Sequence, residues 1–93
     1  MSEVVIVTRH QGMVAWLERH GITGAVLSHV GPADVAGKIV VGALPLHLAA
    51  LASEVVTVDM PLLKAEQRGV DLTPEEMDEA GAVLHRYVVR KVD

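Results

Sequence analysis

The sequence predicts a small three-layer α/β domain, with a mostly parallel four-stranded sheet and helices on both faces. Three observations carry that prediction. Apolar β-branched runs such as Val4-Val5-Ile6-Val7 and Ile39-Val40-Val41 show no in–out alternation, the pattern of strands buried on both faces. Helical patterns alternate with these runs, giving two strand–helix–strand units joined by short connections. A length of 93 residues suits one domain, spanning 1–93, and leaves no room for a second.

Each element has a local reason. Glu3–Thr8 reads as the first strand. Met13–His20 reads as a helix with Val14, Trp16 and Leu17 as its apolar positions and Gly21 after its end. Ala25–Val30 is a second strand, and Gly31-Pro32-Ala33-Asp34 is turn chemistry. Lys38–Ala43 is a third strand. Pro45 sits where the first helical turn tolerates proline, and Leu46–Ser53 continues that helix. Glu54–Val58 is a fourth strand, closed by Asp59-Met60-Pro61, and Leu62–Gly69 is a short helix or loop. Thr73-Pro74-Glu75-Glu76 is a capping box, after which Met77, Ala80, Leu84, Tyr87 and Val88 follow helical spacing. Tyr87-Val88-Val89 is β-branched enough to allow a short terminal strand instead. The sum is a small Rossmann-like domain.

Composition narrows the function. Hydrophobic residues make up 51% of the chain, yet no apolar run is long enough to span a bilayer. The excess is Val, Leu and Ala, which fits buried parallel strands and also an apolar face left for a second subunit. A chain this short buries a modest core, so a homodimer is expected. There is no cysteine, which excludes disulfides and thiolate chemistry and argues against structural zinc. Met1-Ser2-Glu3 carries no basic segment and no signal-peptide pattern, so a cytoplasmic protein is expected. The net charge of −4, with eight basic residues scattered along the chain, argues against binding long nucleic acid. A small anion held by a local cluster of positive groups remains compatible.

The candidate site follows from topology. In open α/β sheets, ligands bind beyond the carboxyl ends of the strands, where strand order reverses. The first strand delivers Thr8, Arg9 and His10 to a helix start at Gly12, and a helix start offers unpaired N–H groups and a favourable dipole for an anion such as phosphate. In the common order 2-1-3-4, the third strand adds Gly42, Ala43, Leu44, Pro45 and His47, and the fourth adds Asp59 and Met60. Two helix N-termini then face one pocket. Arg9, His10 and His47 are the candidate catalytic residues; Thr8, Gly12, Gly42, Ala43, Leu44, Pro45, Asp59 and Met60 are candidate ligand contacts. Plainer roles compete. His10 serves equally as a helix cap, His47 as a helix residue packed on the sheet, Thr8 as a strand end, and Arg9 as an ion-pair partner of Asp59. His20, His29 and His85 read as surface or helix-terminal histidines. Lys64, Gln67 and Arg68 read as a solvated face, on a loop placed to fold over the site. Trp16 and Tyr87 read as packing. No helical His-x-x-x-His pair exists, so neither a metal nor another cofactor is expected. No Ser stands in a nucleophile-elbow context.

These segments also carry a resemblance. Val7-Thr8-Arg9-His10-Gln11-Gly12, the Trp16-Leu17 pair, the Gly21 turn, Val41 to Ala49 and Leu72-Thr73-Pro74-Glu75 together resemble a family of small CRISPR-associated accessory proteins of type III systems. The likeness covers nearly the whole chain; Ala43 departs from it, standing where Thr is common. The resemblance implies a ring nuclease that binds and cleaves cyclic oligoadenylate, above all cyclic tetra-adenylate, and so switches off type III signalling. In such a reaction a ribose 2′-hydroxyl attacks its own phosphodiester, leaving a 2′,3′-cyclic phosphate and a 5′-hydroxyl, without a metal or a water nucleophile. Arg9 would neutralise the phosphate, and His10 or His47 would protonate the leaving oxygen. A symmetric ring suits a two-fold dimer. A non-catalytic binder that sequesters the ring is the alternative. The strand followed by Arg-His-x-Gly also resembles the histidine phosphatases. That motif normally lacks the inserted Gln11, those domains are longer, and the second Arg and acidic acid–base pair are not evident here.

Overall fold

The structure, a computed structural model, describes residues 3–93; Met1 and Ser2, the first residues of the segment read for a signal pattern, lie outside them. Along the chain come β1 (Val4–Val7), α1 (Gln11–Arg19), β2 (Ala25–Leu27), α2 (Pro32–Val35) and β3 (Ile39–Val41). Then follow α3 (Leu46–Ala49), β4 (Glu54–Asp59), a 3-10 turn over Ala65–Gln67, α4 (Pro74–Glu79) and β5 (Val83–Tyr87). The sheet runs β2-β1-β3-β4-β5. Its first four strands are parallel, with Val5 opposite Ala25 and Val40, and Val40 opposite Val55. The first four strands therefore take the expected 2-1-3-4 order.

The fifth strand corrects the four-stranded expectation. The helical spacing from Met77 to Val88 runs through Gly81, and Gly81 takes a left-handed φ of 79° that a glycine adopts without strain. Its N–H bonds back to the Asp78 carbonyl at 3.0 Å, and α4 ends there. The chain then returns antiparallel to β4, pairing Thr57 with His85 and Val55 with Tyr87. Two other expectations shorten. The turn at Gly31–Asp34 closes into the one-turn helix α2, with the Asp34 carboxylate accepting from the Gly31 N–H at 2.7 Å. The helix expected over Leu46–Ser53 holds only through Ala49.

Helices cover both faces of the sheet, each over its own core. On one face, Trp16 and Leu17 of α1 and Met77 of α4 pack on Ile6, Val41 and Val56 with Leu72. On the other, Val35, Leu48, Ala49 and Ala52 pack on Val40 and Val55. Burying a side chain such as Leu17 is worth about 1.5–3 kcal/mol. The Trp16 indole is buried and its Nε1–H donates to Asp78 at 2.8 Å, so the polar tip of the ring is satisfied while α1 is tied to α4. This is the small Rossmann-like arrangement, and it gathers the ends of β1, β3 and β4 along one edge.

Candidate functional site at the carboxyl edge of the sheet

Strand order reverses between β1 and β3, because β1 continues through α1 to β2 on one side and β3 through α3 to β4 on the other. A crevice of about 260 Å³ opens at that point, lined by Val7, Met13, Gly42, Ala43, Thr57 and Asp59. Side chains alternate along a strand, so Thr57 and Asp59 share the α3 face with Val55, while Val58 shares the α1 face with Val56. The crevice therefore straddles the top edge of the sheet.

Two further depressions adjoin it. Met13 is shared with a small apolar hollow of about 110 Å³ whose other walls include His10, Met60, Leu63, Leu72 and Met77. His10 is in turn shared with a cavity of about 340 Å³ that Thr8, Arg9, Gln11, Val14, Val26 and Ser28 complete. A continuous band thus runs along the carboxyl edge from β2 to β4, and His10 stands in its middle. The Thr8 hydroxyl accepts from the His10 N–H at 3.1 Å and so holds the Arg9–His10 bend. Arg9 is exposed, and its Nη2 donates to Nε2 of His29 at 3.3 Å. Asp59 accepts from the Thr57 hydroxyl at 3.4 Å and from Nδ1 of His85. Arg9 and Asp59 therefore each have a histidine partner, rather than each other.

The helix start is engaged from within. The Gln11 and Gly12 N–H groups donate to the two carboxylate oxygens of Asp71 at 3.2 and 3.0 Å. His10 is the N-cap of α1 without a side-chain bond of its own. The missing side chain of Gly12 admits this docking: a Cβ there would lie 1.6 Å from the Leu72 carbonyl oxygen. At Gly42 a Cβ would lie 2.6 Å from the Val7 carbonyl oxygen, so this residue lets β3 close against the end of β1 while lining the crevice.

The third-strand candidates divide. Gly42 and Ala43 line the crevice, whereas Leu44 packs into the α3-side core. The Pro45 carbonyl accepts from the Leu48 and Ala49 N–H groups, so Pro45 starts α3. His47 is exposed on α3 and lines a separate cavity of about 560 Å³ with Leu46, Leu51, Val89 and Arg90. It is not gathered with Arg9 and His10. Lys64 and Arg68 are exposed and line none of the three depressions, while Gln67 borders the apolar hollow. Sequence reasoning passed over Asp71, His29 and His85. Among the described residues, no group of three or more His, Asp or Glu side chains converges as a metal site would, and no helix is long and apolar enough to cross a membrane.

Fold and crevice together define a small Rossmann-like domain with Arg9, His10 and Asp59 along a band of depressions at its strand-order reversal. A family model described as "Putative CRISPR-associated protein (Cas_VVA1548)" matches residues 5–90, and the chain belongs to that family of CRISPR-associated proteins. Searches of curated proteins and of solved structures each returned no match.

Proposed function

We propose that this protein is a metal-independent ring nuclease that cleaves cyclic oligoadenylate, cyclic tetra-adenylate first among them, in the carboxyl-edge band. The observation that carries the reading is Arg9-His10 at the centre of that band, in a chain of a CRISPR-associated family. The chemistry asks little of the protein beyond geometry, because the nucleophile belongs to the substrate. A ribose 2′-hydroxyl must be held in line with the leaving 5′-oxygen. Charge gathering on the phosphate must be neutralised in place. Arg9 performs that role. The N–H groups of α1 that would have assisted are held by Asp71. His10, partly buried and facing both adjoining depressions, donates the proton to the leaving oxygen. His47, on its separate cavity, takes no part in that step. A homodimer would offer a two-fold symmetric ring two such bands.

Ring binding and ring cleavage measured side by side test this reading. Arg9→Ala is expected to weaken binding and slow cleavage. His10→Ala is expected to lower kcat on the order of 10²–10⁴ with binding kept. Controls at His20 and His47 should cleave at the parental rate. Binding without linear product by the parental protein would mark a sequestering protein instead, and phosphate release from a monoester would mark a phosphatase.

A further inference from the structure

Three of the four methionines of the chain stand around the small hollow beside His10. Met13 comes from α1, Met60 from just beyond β4 and Met77 from α4, and together with Leu63 and Leu72 they make its lining apolar. Met77 belongs to the core beneath, while Met13 and Met60 are half-buried. A thioether chain is unbranched and polarisable, and its sulfur makes favourable contacts with flat aromatic rings. The polar side chains in this wall are His10 and Gln67. The hollow measures about 110 Å³ and is open to the surface. A closed apolar cavity of about 150 Å³ holds one benzene ring, so an open hollow of this size suits one flat heterocycle inserted edge-first.

The segment that walls the hollow, residues 61–71, is fixed at both ends. The Leu62 N–H donates to the Ala80 carbonyl at 2.9 Å, and Asp71 holds the N–H groups of Gln11 and Gly12. Between these ties come the 3-10 turn over Ala65–Gln67 and a bend at Gly69, whose φ of 76° is left-handed. The Val70 N–H closes the bend on the Gln67 carbonyl at 3.2 Å. Within the turn, the Lys64 N–H donates to the side-chain Oε1 of Gln67 at 3.0 Å. That bond orients the amide: its oxygen serves the turn, and its NH2 group is the end left to donate. Position ties the hollow to the proposed chemistry. His10 belongs both to this wall and to the cavity that holds Arg9. A nucleotide with its phosphate at Arg9 and His10 has its base beside the hollow.

We propose that the methionine-lined hollow receives one adenine base of the ring and that Gln67 is the specificity-determining residue that reads it. The assignment rests on the ring-nuclease reading above. The base enters with the edge opposite its sugar leading. In adenine that edge carries N1, an acceptor, which takes a hydrogen bond from the Gln67 NH2 group. Unstacked bases are commonly read this way, by contacts on the ring faces and hydrogen bonds at the Watson–Crick edge. In guanine or hypoxanthine N1 carries a hydrogen, so donor would face donor.

The test is a cycle between protein and ligand. Binding and cleavage of cyclic tetra-adenylate are compared with those of a ring whose adenine N1 atoms are replaced by C–H, for the parental protein and for Gln67→Glu. Glutamate keeps an oxygen for the Lys64 N–H and removes the NH2 donor. Its added charge weakens both rings alike, so the difference between rings isolates the contact. The parental protein is expected to bind the deaza ring about tenfold more weakly, because a desolvated donor is left unpaired. Its kcat should stay within about threefold, since the contact holds substrate and transition state equally. In Gln67→Glu the two rings should bind within about twofold of each other. Equal parental affinity for the two rings, or a tenfold gap that persists in Gln67→Glu, overturns the assignment to Gln67 and leaves the ring-nuclease reading standing. A parental protein that binds cyclic tetra-adenylate with the expected gap and never cleaves it overturns the nuclease reading and upholds the base pocket. A parental protein that does not bind the ring overturns both.

Discussion

At the scale of single residues, the carboxyl edge is held together by pairs distant in sequence. Asp71 reaches Gln11 and Gly12 from 60 and 59 positions away, His29 reaches Arg9 from 20, and His85 reaches Asp59 from 26. Arg9 and His10 were legible because adjacency to a β-branched run places them at a strand end. Their partners were not, since no local pattern tells which distant side chain a fold will return to them. The same limit explains Gly12, which reads like a ligand-cradling glycine and in fact admits the Leu72 carbonyl. Asp71→Ala removes the acceptor for two N–H groups at the start of α1, and the expected loss is about 0.5–2 kcal/mol by urea denaturation. Gly12→Ala should cost about 1–3 kcal/mol in the same assay, because the atom it meets is backbone and cannot swing aside.

At the scale of elements, strong local signals determine the local structure. The Thr73 hydroxyl accepts from the Glu76 N–H at 3.1 Å and Glu76 accepts from the Thr73 N–H at 3.0 Å, as the capping box predicts. The structure departs from the helical expectation just after it. Helical spacing from Met77 onward competed with the stop signal of Gly81, and the stop signal prevailed because Val83 to Tyr87 gain a full antiparallel ladder on β4. That ladder carries Arg86 to Glu54 as a two-pronged pair, with Nε and Nη2 at 2.5 and 3.2 Å from the carboxylate. A second pair, Arg19 to Glu75 at 2.7 Å, ties α1 to α4. Hydrogen bonding to the guanidinium holds the Glu54 carboxyl below its ordinary value of 4.5, and Arg19 does the same for Glu75. A carboxyl lowered in the folded state contributes stability that is complete above its ordinary value and fades as pH falls through the folded value. The parental protein should therefore lose stability on acidification below about pH 4.5 more steeply than Arg86→Gln or Arg19→Gln. Arg19, Glu75 and Arg86 are exposed and Glu54 is half-buried, so the effect is modest and should shrink in high salt. Thermal melts across that range, with and without added salt, check it.

At the scale of the whole molecule, the order 2-1-3-4 could be anticipated because two strand–helix–strand units with short connections admit few arrangements. The placement of a crevice at the reversal followed from that order. What composition left open was the surplus of apolar surface. Val26, Leu46, Leu62, Tyr87 and Val88 are exposed in the single chain, and both β2 and β5 are sheet edges. A homodimer at micromolar concentration is the expected outcome, read by sedimentation; a monomer with and without ligand would count against it. In the proposed reaction a ribose 2′-hydroxyl of a cyclic oligoadenylate attacks its own phosphodiester at the carboxyl edge. The most direct measurement is mass-spectrometric identification of the products formed from cyclic tetra-adenylate in excess chelator. The expected products are linear oligoadenylates ending in a 2′,3′-cyclic phosphate and a 5′-hydroxyl. An intact ring, or cleavage that appears only when a divalent ion is restored, would contradict it.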